Sequence, residues 1–244
     1  ARHADEGRRI GALAIIGCLS QMSSDPDALP AMFNVIKAVI GGSDGKLTSV
    51  YQRVGMISAL QELSKAPSGK TMNNLAPSIC GFLLSCYKED GSEEAKLATL
   101  PAISSWCARS AEAVQPDVIS FIAMGLKEKE TLRRGHLRCL RAICKNPNTL
   151  TRMSPLLESL VQLVKTGFTK AAQRLDGIYA LFSVAKIGTA DIRAEDLMVK
   201  EKIWLLISQN EPSVIPMSLA SKLSTDDCIA CLDLLEVLLV EHQP

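Results

Sequence analysis

The stretch that decides the fold runs from Tyr51 to Leu63, YQRVGMISALQEL, and a related pattern occurs six times along the chain. Each copy can be aligned on a small or turn-tolerant residue, which we call the anchor. The spacings between successive anchors are 44, 43, 37, 41 and 51 residues, and the anchors are Gly11, Gly55, Ala98, Gly135, Asp176 and Asp227. Spacings of this size are typical of repeats built from a pair of helices.

Apolar residues recur at fixed distances after each anchor. In the Tyr51 stretch they stand two, five and eight positions beyond Gly55, at Ile57, Leu60 and Leu63. Steps of three residues place side chains along one side of a helix, so each copy predicts a helix with one buried face. The other copies carry Leu13, Ile16 and Leu19; Leu100, Ile103 and Trp106; Leu137, Leu140 and Ile143; Ile178, Leu181 and Val184; and Ile229, Leu232 and Leu235.

A basic residue stands two positions before the anchor in five of the six copies. These residues are Arg9, Arg53, Lys96, Arg133 and Arg174, and the sixth copy has Thr225. A basic residue followed by such a stripe resembles the second helix of HEAT repeats, in which this residue usually braces the turn between helices and neighbouring units. The sequence therefore predicts an all-α HEAT-repeat solenoid, a superhelical stack of antiparallel helix pairs, with a structural role for the basic residues.

Turn and capping signals divide the chain into approximate units at 27–65, 71–110, 116–145, 150–188 and 195–241. A first segment, 1–22, carries the second-helix pattern without a partner, so we expect a fragment of a longer solenoid cut within a repeat. We expect Asp25 or Asp27 to cap the helix 28–40, and Asp117 to cap the helix of the unit 116–145. Pro101 is expected to kink its helix or to delay the start of that helix.

Composition limits the possible partners. The net charge is +1 and the pI about 7.7, so any contact with nucleic acid or an anionic membrane must be local. The most apolar run, Ile10 to Leu19, is too short to span a bilayer, and the N-terminal residues lack the pattern of a signal peptide. Most of the eight cysteines fall in predicted helices, which indicates core thiols in a reducing compartment, the cytosol.

Motifs for catalysis or metal binding are weak. Cys228 and Cys231 form a CxxC without a second pair, and core packing explains them better than zinc or redox chemistry. His136 and Cys139 are three positions apart, but the sequence supplies no third orienting group or oxyanion hole. The arginines that flank His136 should disfavour its protonation. We predict a protein that is not an enzyme and that has no cofactor, metal or small-molecule substrate.

The strongest local surface signal is a row of four basic residues. Spacings of four, three and four put Arg134, Arg138, Arg141 and Lys145 on one side of a helix, away from the apolar stripe. We call these four residues the basic ridge. Like charges at these spacings repel, so an anionic partner such as a phosphate backbone would stabilise the ridge. The alternative is a solvated ridge that Glu128 and Glu130 neutralise in part.

Several strings go beyond the general repeat pattern. They are QRVGMISALQELS at 52–64, GLKEKETLRRGHLRC at 125–139, LVKTGFTKAAQRLDGIYAL at 163–181, LISQNEP at 206–212 and LLEVLLVEH near the end. With them the chain resembles, over nearly its whole length, plant members of a family of very large HEAT-repeat proteins, the translational activators of the general amino-acid control pathway. The chain is similar to the N-terminal arm of these proteins.

The resemblance implies a cytoplasmic, ribosome-associated scaffold. Such proteins help uncharged tRNA at stalled ribosomes to activate the kinase of initiation factor 2 alpha, and the segment that binds the kinase belongs to the far C-terminal part of the family. We therefore expect contact with ribosomal RNA or a ribosomal protein here, and contact with the kinase through regions outside this chain. The alternative is a spacer or protein-interaction module, like the arms of nuclear transport receptors or phosphatase scaffolds.

Overall fold

A computed structural model of the protein describes residues 1–190 and 223–240, and these ranges hold ten α-helices and no strand. The predicted all-α fold is therefore confirmed. The helices are α1 (Glu6–Met22), α2 (Ala28–Ile40), α3 (Val50–Leu63), α4 (Lys70–Glu89), α5 (Glu93–Arg109), α6 (Pro116–Gly125), α7 (Glu130–Cys144), α8 (Leu157–Thr169), α9 (Arg174–Ala190) and α10 (Thr225–Val240). Short 3₁₀ helices occupy Ala111–Ala113, Pro147–Leu156 and Ala171–Gln173.

The chain divides into two compact units, 1–143 and 144–244. In the first unit α2 packs against α3 and α4 against α5, so consecutive helices form pairs. The second helices α1, α3 and α5 also pack in series, as do the first helices α2, α4 and α6. Two parallel rows of helices are the arrangement of a helical-pair stack. In the second unit α8 packs against α9, and α9 packs against α10.

The predicted apolar stripe is buried in α3, α5, α7 and α9. Its most exposed member in these four helices is Ile57, which is 3% exposed. Burying each such side chain contributes about 1.5–3 kcal/mol, so the stripe is the main source of stability between helices. Trp106, the one aromatic residue of the stripe, is fully buried, and its indole Nε1 donates a hydrogen bond to the Leu60 carbonyl, 2.9 Å away.

The predicted stripe is wrong in α10, and in α1 it is only half-buried at Leu13 and Ile16 and 57% exposed at Leu19. Ile229, Leu232 and Leu235 are 43%, 64% and 38% exposed, whereas Leu234 and Val237 are 0% and 4% exposed. The buried positions therefore lie two residues later than an anchor at Asp227 predicts. Apolar residues surround this helix on several sides, so periodicity alone does not identify which side packs. The predicted anchor Asp227 is itself buried, and its carboxylate accepts a hydrogen bond from the Tyr179 hydroxyl at 2.7 Å.

The helix α5 begins at Glu93 and runs through its proline. The Ser92 hydroxyl accepts a hydrogen bond from the Ala95 N–H and caps the helix. The helix extends without interruption from Glu93 to Arg109, so the expected late start at Pro101 is wrong. Leu100 and Ile103 on either side of the proline are 1% and 0% exposed, and their burial offsets the lost backbone hydrogen bond.

Several predicted helix starts differ from the structure. Gln115, and not the predicted Asp117, is the N-cap of α6, and Pro116 is the first residue of the helix. Asp117 lies in the first turn, where its negative charge interacts favourably with the helix dipole. Asp27 is the N-cap of α2 but makes no capping hydrogen bond through its side chain. The unit predicted at 150–188 opens with a 3₁₀ segment that contains Pro155, and its first α-helix begins at Leu157. Most of the unit predicted at 195–241 falls outside the described residues.

No helix in the described ranges is both long enough and apolar enough to cross a membrane.

Candidate interaction surface on the seventh helix

Three arginines of the basic ridge lie on α7, on the side away from its buried stripe. Arg138 is exposed, and Arg134 and Arg141 are half-buried, whereas Leu137 and Leu140 of the same helix are fully buried. The Arg134 guanidinium donates a hydrogen bond to a carboxylate oxygen of Glu130, one helical turn earlier, at 2.8 Å. This pairing neutralises part of the charge of the ridge within the helix.

The fourth ridge residue is placed differently. Lys145 follows the last residue of α7 and belongs to the unit 144–244. Its ammonium pairs with a carboxylate oxygen of Asp233 in α10 at 2.7 Å. The Lys145 side chain remains 48% exposed. The structure thus assigns Lys145 an ion pair within the second unit and leaves Arg134, Arg138 and Arg141 as the ridge of the first unit.

A buried histidine fixes the position of α7. His136 is 1% exposed and lies between Tyr87 of α4 and Phe121 of α6. Its Nε2 atom is 3.2 Å from the Tyr87 hydroxyl, within hydrogen-bond distance. Gly125 makes room for the imidazole, because a Cβ atom there would overlap the ring. The ring therefore joins three helices, and the arginines on either side of it along α7 are held outward.

His136 is neutral at pH 7, but for a different reason than the sequence indicates. Burial lowers the pKa of His136 to about 4, and its flanking arginines are not a cause of this shift. Burial likewise raises the pKa of Tyr87 to about 12. Cys139, which could have formed a nucleophile pair with His136, is itself 3% exposed. A substrate could not reach either side chain without opening the core.

Three of the five basic residues before the anchors have the structural role that the sequence predicts. Arg9 donates to the carbonyls of His3 and Ala4 at 3.0 and 2.6 Å. Arg53 donates to the carbonyls of Leu47 and Thr48 at 3.5 and 3.2 Å, and Arg133 to that of Glu128 at 3.2 Å. In each case the acceptor is five or six residues earlier, so the basic residue closes the loop that precedes its own helix.

Arg53 also connects neighbouring helix pairs. Its Nε atom donates to an Asp90 carboxylate oxygen at 2.6 Å, and the Asp90 side chain is only 10% exposed. Burial alone would raise the pKa of Asp90, but hydrogen bonds from Arg53 and from the Ser92 N–H outweigh it and hold that pKa below its usual range. The pair borders a surface hollow of about 410 Å³ whose other walls include Ile40 and Ile57. Its charged groups are bound to each other, so they have a structural role.

The remaining candidate groups show no arrangement for chemistry. Cys231 is 4% exposed and Cys228 is exposed, so the two thiols of the CxxC face different environments. The core role predicted for the cysteines holds at Cys80 and Cys107, which are buried with 3.9 Å between their sulfur atoms, but not at the exposed Cys18 and Cys228. Within residues 1–190 and 223–240, no group of three or more histidine, cysteine or acidic side chains is placed to hold a metal ion.

Comparison with known proteins finds relatives that match nearly the whole chain. A family profile described as "Stalled ribosome sensor GCN1 N-terminal" matches residues 1–47. Protein ILITYHIA of Arabidopsis thaliana is 62% identical over 242 residues, which is 99% of this chain. The stalled ribosome sensors GCN1 of Homo sapiens and Mus musculus are 24% and 23% identical over 92% of the chain. The chain is related to the GCN1 proteins.

The chain spans 9% of the length of each of these GCN1-related proteins. Similarity to them extends across both units and includes α7, since the alignments cover 92% to 99% of the chain. No solved structure matches the chain. The sequence alone missed the cluster of Tyr87, Phe121, Gly125 and His136, and the repeat pattern gave one signal for it, a histidine directly after an anchor glycine.

Proposed function

We propose that this chain is part of a non-catalytic scaffold arm of a GCN1-type protein, which lies along the ribosome in the cytoplasm. The observation that carries the proposal is the similarity over 92% of the chain to proteins named stalled ribosome sensors. In this proposal the whole protein promotes activation of the initiation factor 2 alpha kinase when amino acids are scarce or ribosomes stall. The kinase is bound by regions outside this chain.

The arrangement of polar groups supports a scaffold rather than an enzyme. The ionisable side chains described inside the fold are used in packing, as in the His136 cluster, or in loop closure, as at Arg53. The three arginines of α7 stand on the accessible side of a helix that the His136 cluster holds in place. We propose that these arginines contact the ribosome.

A second function is favoured by the ion pairs of the ridge. Arg134 is paired with Glu130 and Lys145 with Asp233, as expected for a surface whose charges serve the fold itself. On this alternative the chain is a spacer or protein-interaction module, and its ridge makes no contact with the ribosome.

Cosedimentation with purified ribosomes across a salt series separates the two functions. We expect the native chain to pellet at low salt and to be released as salt rises. The triple variant Arg134→Glu, Arg138→Glu, Arg141→Glu should stay in the supernatant. A matched control reverses three exposed lysines elsewhere, Lys46→Glu, Lys88→Glu and Lys127→Glu, and should pellet like the native chain.

The outcomes decide between the functions because both variants change the net charge equally. Equal loss of pelleting in both would mean a non-specific charge effect, and equal pelleting of all three proteins would exclude the ridge as the contact. If the native chain does not pellet, the spacer function is supported. Circular dichroism must show the same helix content in each variant.

A further inference from the structure

On the second helices of the first unit, two equivalent surface positions are uncharged in every helix except α7, which has arginines there. Relative to its anchor, Arg134 is at position −1 and Arg138 at position +3. The same two positions on the neighbouring second helices hold uncharged residues, namely Ile10 and Ala14 on α1, Val54 and Ser58 on α3, and Leu97 and Pro101 on α5. We call these six residues the uncharged band.

The uncharged band is accessible and continuous with the arginines. Ile10, Ala14 and Pro101 are exposed, Ile10 by 59%, and the other three residues are half-buried. The helices α1, α3 and α5 pack in series, which brings these positions side by side. A Cβ atom on Gly135, between Arg134 and His136, would be 3.2 Å from the Leu97 side chain, so α7 adjoins the band directly.

The charge distribution favours a protein partner over a nucleic acid. A phosphate backbone carries one charge every few ångströms, and proteins that follow it present cations along the whole contact. At positions −1 and +3 the cations are confined to α7, and the same positions of the three adjoining helices hold small or apolar side chains. Acidic side chains could pair with the arginines, while apolar side chains would cover the band.

We propose that the uncharged band and the arginines of α7 together dock an acidic amphipathic helix of a partner protein. Neighbouring helices are about 8–10 Å apart, so four second helices span roughly 30 Å, the length of a helix of about 20 residues. The partner helix lies across the second helices, with its acidic end on Arg134, Arg138 and Arg141. This inference rests on the proposed function and names the chemistry of the ribosomal contact as protein.

The test measures binding of two probes to the full chain by fluorescence anisotropy. One probe is a 20-residue helical peptide with leucines along one face and glutamates clustered at one end, and the second is a ten-base-pair RNA duplex. We expect the peptide to bind at least tenfold more tightly than the RNA. The ridge variant Arg134→Glu, Arg138→Glu, Arg141→Glu should weaken peptide binding at least tenfold.

A variant of the uncharged band distinguishes this proposal from simple charge attraction. Ser58→Glu with Pro101→Glu adds acids to the band, and it should also weaken peptide binding at least tenfold. Both positions are accessible, and glutamate suits a helix better than proline does, so the variant should keep its helix content. The matched control, Ser78→Glu with Ser120→Glu, adds two acids on the exposed sides of α4 and α6 and should bind like the native chain.

The proposal is overturned if the RNA binds as tightly as the peptide, or if the band variant binds the peptide as tightly as the native chain does. It is also overturned if neither probe binds below millimolar concentration. Ribosome cosedimentation distinguishes failure of the helix-docking proposal from failure of the proposed ribosomal function. If the ridge variant loses pelleting but the band variant does not, the ribosomal role stands and the helix-docking inference fails. If the native chain binds the peptide but does not pellet, the docking surface stands and the ribosomal role fails.

Discussion

Acid should destabilise the first unit through His136, because this buried ring must gain a proton when the chain unfolds. Its pKa is about 4 in the folded protein and 6.5 in the unfolded chain. The neutral form is therefore favoured by folding, and the full stability is present above pH 6.5. It is lost as the pH falls from 6.5 towards 4, and the loss levels off below that value.

The magnitude follows from the two pKa values. Each pKa unit corresponds to about 1.4 kcal/mol, so the complete loss is about 3 kcal/mol and roughly 2 kcal/mol is already lost at pH 5. Surrounding groups offer the imidazolium little compensation. Among the described residues its Nδ1 atom has no hydrogen-bond partner, and the Tyr87 hydroxyl faces Nε2. A Cβ atom on Gly125 would overlap the ring, so α6 packs closely against it.

Urea unfolding at pH 5, 6 and 7.5 measures the effect. Fluorescence of the buried Trp106, in a Trp204→Phe background, reports on the first unit. The variant His136→Asn should be less stable at pH 7.5 but should lack the loss of about 2 kcal/mol at pH 5. The exposed His3 is the control, and His3→Asn should keep the native pH dependence. Parallel pH profiles for the native chain and His136→Asn would refute the argument.

Three further substitutions follow from the packing. Gly167→Ala places a Cβ atom 2.5 Å from the Gly177 Cα, so it should separate α8 from α9 and cost about 1–3 kcal/mol in thermal unfolding. The control Gly81→Ala, on an open side of α4, should instead raise stability by about 0.5–1 kcal/mol. Equal effects at the two glycines would contradict the close approach of α8 and α9. Arg53→Met leaves the Asp90 carboxylate without its cation in a nearly buried site, so the free energy of unfolding in urea at pH 7 should fall by about 2 kcal/mol. The pKa of Asp90, measured by carboxylate NMR, should rise. An unchanged Asp90 pKa would show that the ion pair is not what lowers it.

The sequence predicts the fold well where each helix has one apolar side. In α3, α5, α7 and α9 the residues two, five and eight positions after the anchor are the ones buried, because a period of about 3.6 residues identifies the packed side. The same counting fails in α10, where leucine and isoleucine occupy more than one side. There the packed side is decided by contacts with α9, such as the hydrogen bond between Tyr179 and Asp227, and local sequence does not contain them.

Candidate site residues were predictable only in part, because sequence spacing gives the side of a helix and not the partners on it. The spacing of Arg134, Arg138 and Arg141 places them correctly away from the stripe. It could not predict that Lys145 pairs with Asp233, which lies 88 residues later in the sequence. Nor could it predict that burial, rather than the neighbouring arginines, keeps His136 neutral, since burial depends on Tyr87 and Phe121 from two other helices.

The repeat itself offers a way to separate structural from functional charges. A basic residue two positions before the anchor recurs because the loop before each second helix has carbonyl groups to satisfy, and Arg9, Arg53 and Arg133 all bind such carbonyls. Packing makes no similar demand at positions −1 and +3, since α1, α3 and α5 fold with uncharged residues there. The repeat pattern therefore does not require a charge at these positions of a second helix. This difference between repeats, more than the number of positive charges, is the reason to look for a partner on α7.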